Sequence, residues 1–177
     1  MNDQITFLLD KNAIQEVIYT YCRGVDRCDP DIVKTAYHSD AHDDHGYWRG
    51  NAHDFADFVV RRLKDANITT THCVTNTMIE VSGNEAWAES QIMATLLRRN
   101  TTPLKVDVMG ARYLDTFSKR QGQWKISHRV VCLDWHKVET WPEPDLPIDT
   151  SKFLWGSRDR NDPVYEMILK GQLPKRV

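Results

Sequence analysis

The sequence predicts an α+β fold in which N-terminal helices cover one face of a curved antiparallel sheet. Three observations carry that expectation. Apolar residues recur at helical spacing as far as Leu63. Stretches rich in β-branched residues take over after Asn67. Turn signals at Ser82-Gly83-Asn84 and Gln121-Gly122-Gln123 then cut the second part into a meander.

The first helix is expected to start at Asp10 as N-cap, with Ile14, Val17, Ile18, Tyr21 and Val25 on one stripe, and to end near 24–26. Asp29-Pro30-Asp31 restarts a short helix running to about Tyr37: Asp29 caps, Pro30 suits the first turn, and Asp31 complements the dipole. A short strand over Ala41–Trp48 then leads to Gly50. The third helix runs from about Asn51 to Leu63, with Phe55, Phe58, Val59 and Leu63 inward. TTTHCVTNTMIEV, AWAESQIMATLLRR, VDVMGARYLDTFSKR and WKISHRVVCLDW read as four successive strands. Residues 1–140 are expected to form one domain. Residues 141–177 read as a proline-rich arm and a short amphipathic helix, packed on that domain or on a neighbouring subunit.

Composition narrows the function. With 177 residues, 41% hydrophobic and 27% charged, the chain reads as one soluble globular domain with material for a core. A net charge of −2 and a sequence pI of about 6.4 provide no basic field for nucleic acid or an anionic membrane. No apolar run approaches the roughly 20 residues of a membrane span, and the N-terminus lacks the basic start and long apolar core of a secretory signal. The four cysteines, Cys22, Cys28, Cys73 and Cys132, include no C-x-x-C pair; reduced thiols and a cytoplasmic location are expected. No nucleophile elbow, P-loop or dinucleotide fingerprint occurs, so no cofactor is expected.

Three features could carry chemistry. Asp26 ends the first helix, where the macrodipole disfavours a carboxylate, and unlike Asp29 it has no capping role to explain it. The alternative is a solvated carboxylate beside Arg23 or Arg27. His72 opens a strand whose period-two face carries Thr70, Val74, Asn76 and Met78, a surface that suits a cavity wall or an ordinary core. A histidine joined to a buried carboxylate is the simplest general base at neutral pH, because the carboxylate fixes its tautomer and supports the imidazolium. The third feature is DAHDDHG at 40–46, one residue away from the H-x-H-x-D-H run of binuclear metallohydrolases. A hydrolase using His42, Asp44 and His45 would need further ligands downstream. His53, His72, His128 and His136 form no second ligand motif, so no metal is expected.

AIQEVIYTYCRGVDRCD, YHSDAHDDHGYWRG, TTTHCVTNTMIEVSGNEAWAES and GQWKISHRVVCLDW, in that order, resemble the SnoaL-like branch of the nuclear-transport-factor-2-like, cystatin-like cone superfamily. The resemblance covers roughly residues 8 to 136, and GSRDRNDPVY resembles a closing motif of the branch. It implies a cone-shaped sheet with N-terminal helices enclosing a pocket, as in scytalone dehydratase, bile-acid 7α-dehydratase and hexachlorocyclohexane dehydrochlorinase. It further implies cofactor-free elimination or isomerisation with His72 as base and Asp26 orienting it. Tyr21 matches a pocket tyrosine of the bile-acid enzyme, and His45 lies on the cone's rim. Arg129 is within reach of the pocket, although strand parity sets it opposite Trp124. Tyr21, Trp48, Met78, Met93, Met109 and Trp135 supply bulky wall candidates, of which Tyr21, Arg129, His45, Trp48 and Met109 are the expected substrate-binding residues. The expected substrate is an apolar or aromatic small molecule. The alternative is a ligand-binding or assembly module, such as a ring-hydroxylase small subunit. The broad outer sheet face and the arm point to a homotrimer or homodimer.

Overall fold

The computed structural model describes residues 2–142 and 148–171. The chain runs α1 (Asn2–Asp26), α2 (Pro30–Thr35), β1 (Tyr37–Asp44), β2 (Arg49–Asn51), α3 (Ala52–Ala66), β3 (Asn67–Ser82), β4 (Glu85–Arg98), β5 (Leu104–Arg120) and β6 (Gln123–Trp141). A 3₁₀ turn (Thr150–Lys152) and α4 (Pro163–Lys170) follow. The strands form one curved, open sheet in the order β2-β1-β6-β5-β4-β3, with β1 parallel to β6 and every other pair antiparallel. The helices bury its inner face through a core that includes Ile14, Ile18, Val25, Val33, Phe55, Ile92, Phe117 and Ile126. The fold is α+β, as the sequence predicts.

The helix starts divide on local chemistry. Asp29 caps α2, accepting the Ile32 amide at 3.3 Å with Pro30 in the first turn, and Asn51 caps α3 through the His53 amide at 2.8 Å. Asp10 is not a cap. Helix α1 begins eight positions earlier, and Asp10 lies mid-helix, accepting from Trp124 Nε1 and Lys119 Nζ, each at 2.7 Å. The added turns carry Ile5, Phe7, Leu8 and Leu9 on the surface, so no buried stripe announces them. Helix α2 stops at Thr35, and Tyr37 already belongs to β1. The strand expected over Ala41–Trp48 is two strands joined by a turn at 45–48, where Gly46 takes a φ of 73° and the His45 amide bonds the Trp48 carbonyl at 2.9 Å.

Two bulges decide what faces inward. On β3, Val74 pairs with Ile92 but Thr77 with Ser90, leaving one residue extra. The inner face therefore runs Thr70, His72, Val74 and then Thr77 and Ile79. Asn76 and Met78 turn outward, with Met78 69% exposed. On β6, Ile126 pairs with Phe117 and His128 with Thr116, so Ser127 is the extra residue. Arg129 thereby lands on the same inner face as Trp124 and Ile126, the reverse of what unbroken parity requires.

After β6 the chain leaves the sheet. Most of the proline-rich stretch, residues 143–147, lies outside the described residues. From Ser157 the chain returns to its own helices: Arg160 and Tyr165 both reach Asp29, and Asp162 caps α4. All four cysteines are free. No described helix is long and apolar enough to cross a membrane.

Candidate active site

Asp26 and His72 meet. The last residue of α1 abuts the first turns of β3, and the Asp26 carboxylate gathers three donors there. Oδ2 accepts the backbone N–H of His72 at 2.9 Å, and Oδ1 accepts the Thr70 hydroxyl at 2.9 Å. The third is the His72 ring, whose Nδ1 lies 2.7 Å from Oδ1. Both side chains are largely buried, 14% and 12% exposed. With Nδ1–H committed to the carboxylate, the imidazole leaves Nε2 as its lone-pair nitrogen. Among the described residues nothing hydrogen-bonds that nitrogen. Ladder register places His72 beside Ala94 and Met109 on the inner face.

A second polar group occupies the interior nearby. Arg129 is wholly buried and forks onto Asp115, Nε to Oδ1 at 2.7 Å and Nη2 to Oδ2 at 2.6 Å. Its guanidinium lies 4.1 Å from the Tyr21 ring centre and 3.9 Å from that of Tyr113, with Tyr37 at 5.8 Å. Burial works against the guanidinium's charge, but the charge and hydrogen bonds of Asp115, together with Tyr37 and Tyr21, more than offset it and hold Arg129 well above its ordinary range. Arg129 Nη1 has no partner among the described residues. Burial lifts the Tyr21 phenol well above its ordinary range, with the charge of Arg129 opposing. Tyr21 Oη lies 3.3 Å from His45 Nε2.

The DAHDDHG segment is divided by the pleat. His42 is exposed on the outer face against His128, with ring centres 4.9 Å apart, whereas His45 turns inward and stacks on Phe55 at 4.2 Å. The two imidazoles therefore lie on opposite sides of the sheet. Among the described residues no group of three His, Cys, Asp or Glu side chains is placed to hold a metal ion.

The remaining wall residues separate. Met109 is on the inner face, partly buried against the core. Trp48, in the β1–β2 turn, stacks on Phe58 at 4.8 Å, and its buried Nε1 has no partner among the described residues. Met78, Met93 and Trp135 point outward and do not line this interior. Trp135 lies over Gly110, whose Cα leaves no room for a β-carbon. A surface depression of about 390 Å³ lined by Ile148, Phe153 and Trp155 contains none of these side chains.

Sequence reasoning missed Thr70, Asp115 and Arg158. Thr70 shares the period-two face of His72 and was legible as a neighbour, though not as a donor. Arg158 enters from the tail: its Nη1 donates to the carbonyls of Leu63 and Asn67 at 2.8 and 3.0 Å, and its Nη2 to Thr70 Oγ1 at 3.3 Å. No local pattern announces so distant a contact.

The open curved sheet with helices on its inner face sets the class of fold. The chain belongs to the SnoaL-like domain family, whose model matches residues 6–130. Among curated proteins none matches. Solved structures with this fold include a scytalone dehydratase candidate of Novosphingobium aromaticivorans, 22% identical over 77% of this chain and 91% of that one, TM-score 0.67. A hexachlorocyclohexane dehydrochlorinase of Novosphingobium barchaimii is 18% identical over 80% of this chain and 99% of its own, TM-score 0.70. A Nostoc punctiforme protein of unknown function with a cystatin-like fold is 21% identical over 78% and 95%, TM-score 0.59. At these identities the likeness shows the fold alone.

Proposed function

We propose that the protein is a cofactor-independent lyase, or an isomerase, acting on an apolar ring-containing small molecule, with His72 as general base and Asp26 as its orienting carboxylate. The observation that carries this reading is the 2.7 Å contact between His72 Nδ1 and Asp26 inside a largely buried interior. A carboxylate fixed by three donors cannot turn away from the ring, so it holds Nδ1–H in place and supports the charge that forms when Nε2 takes a proton. Tyr21 binds the substrate oxygen or leaving group, and Met109 and Trp48 supply apolar contact. Arg129 acts through the Tyr21 ring it covers, since its guanidinium is sealed from solvent. The dehydratase and dehydrochlorinase names among the structural neighbours agree with elimination chemistry.

A second reading, an assembly module, draws on the exposed outer sheet face with Met78, Trp87 and Trp135. It leaves the inward His–Asp pair without a task.

The test uses 5-nitrobenzisoxazole, a flat apolar probe opened by removal of one C–H proton, with release of a coloured phenolate. The reading predicts saturable turnover by the wild type and its loss in His72→Ala. Turnover that survives in His72→Ala contradicts it.

A further inference from the structure

Elimination of a poor leaving group needs a proton for that group as well as a base, and the His72–Asp26 pair provides only the base. A second imidazole–carboxylate pair faces the same interior. Asp43 is fully buried on β1; its Oδ2 accepts the Tyr37 hydroxyl at 2.7 Å and its Oδ1 bonds His45 Nδ1. Phe55, stacked on His45 at 26°, fixes the plane of the ring. With Nδ1 committed to Asp43, Nε2 is directed at the Tyr21 hydroxyl, 3.3 Å away. The Tyr21 ring is itself immobilised, edge-on to Tyr37 and Tyr113 and covered by Arg129.

Tyr21 and Asp26 rise from one helix five positions apart, about 7.5 Å along its axis. Both residues therefore leave α1 within two turns of each other. Tyr21 is also a poor final donor by itself: a phenolate left in so buried a position would be strongly disfavoured, and a proton must follow the one it gives.

We propose that His45, oriented by Asp43, is the proton supply of the site and acts through Tyr21. The inference rests on the elimination reading above. The step starts with His45 protonated on both nitrogens. His72 Nε2 takes the substrate C–H proton, and the C–H electron pair becomes the new π bond. The bond to the leaving group breaks with its electrons on that group, which takes the Tyr21 hydroxyl proton. Tyr21 oxygen then takes the Nε2 proton of His45, whose Nδ1–H stays on Asp43. Return of the proton from His72 to His45 through solvent resets the site, so substrate yields alkene and the protonated leaving group.

The experiment compares 5-nitrobenzisoxazole, whose phenolate leaves readily, with unsubstituted benzisoxazole, whose phenolate leaves poorly. His45→Gln should lower kcat/KM on the nitro probe by less than about threefold and on the unsubstituted probe by about 10²-fold, the scale of general-acid assistance. Tyr21→Phe should show the same divergence and serves if His45→Gln does not fold. His42→Gln, on the outer face, should change neither rate. Equal loss on both probes in His45→Gln and Tyr21→Phe assigns these residues a structural role and overturns the relay. In that case a His72-dependent rate leaves the base intact. A wild type that opens neither probe defeats the base reading, and the relay falls with it.

Discussion

Arg158 reaches Thr70 across 88 positions of chain, and the hydroxyl it meets is the one that Thr70 donates to Asp26. The tail is thus coupled through two hydrogen bonds to the carboxylate that orients the His72 base. The same guanidinium adds a donor to the Leu63 and Asn67 carbonyls at the end of α3, which also accept from the Asn67 amide and from Arg99 respectively. Arg158→Ala is expected to cost about 1–3 kcal/mol in urea unfolding and to lower turnover of 5-nitrobenzisoxazole. Arg158→Lys should recover only part, because one ammonium cannot reproduce a planar fork aimed at several acceptors. Unchanged stability in Arg158→Ala would contradict the coupling.

Arg129 and Asp115 are both excluded from solvent, and a buried ion pair is costly to break and cheap to replace. Arg129→Met should destabilise by about 3–5 kcal/mol, since it strands the Asp115 carboxylate among apolar groups and tyrosine rings. Adding Asp115→Leu should restore much of that loss. Thermal unfolding of the single and double variants checks the sign, and a double variant weaker than the single would contradict it.

Asp10 supplies a pH-dependent part of stability. Burial pushes its carboxyl up, but bonds from Lys119 and Trp124 more than offset this, and its pKa in the folded protein is lowered. A carboxyl lowered on folding stabilises fully above its unfolded value, about 3.9, and the contribution is lost as pH falls through the folded value. Asp10→Ala should therefore cost about 1–3 kcal/mol at neutral pH, partly by orphaning Trp124 Nε1. The deficit against wild type should shrink below about pH 4. A deficit that grows with acid would reverse the assignment.

The outer sheet face exposes Met78, Trp87, Met93, Leu114 and Trp135 together. A folded chain that leaves this much apolar sheet uncovered is expected to self-associate as a homotrimer or homodimer. Light scattering should return that mass for the wild type and a lower mass for Met78→Glu/Trp87→Glu. A monomer at high protein concentration contradicts it.

Helix and strand types were legible because their signals are local. Ile14, Ile18 and Val25 repeat at helical spacing, Asp29-Pro30 marks a start, and the turns at 82–84 and 121–123 divide four long strands into two hairpins. What failed was parity across bulges. A bulge inserts one residue without changing composition, so nothing near Thr75 or Ser127 shows that Met78 turns out and Arg129 turns in. The early start of α1 was illegible for a related reason: its first turns pack on nothing that would impose a stripe. Asp26 stood out through its unfavourable position at a helix end, and its three donors explain why that position is tolerated. Asp43 and His45 were in view within DAHDDHG, but their partners Tyr37 and Tyr21 depend on how β1 lies against α1.

The account turns on Asp26 holding the His72 tautomer, and Asp26→Asn tests it most directly. The backbone N–H of His72 requires an acceptor, so the Asn carbonyl takes the Oδ2 position and its NH₂ faces His72 Nδ1. The ring must then accept at Nδ1 and carry its proton on Nε2, which removes the base while preserving the shape. The measurement pairs kcat/KM on 5-nitrobenzisoxazole with the Kd of its 3-methyl analogue, which has no proton to lose. The account predicts that Asp26→Asn lowers kcat/KM by about 10²–10⁴-fold while the Kd of the analogue stays nearly unchanged. Turnover that persists in Asp26→Asn while the analogue binds far more weakly would make the pair a binding feature and contradict the account.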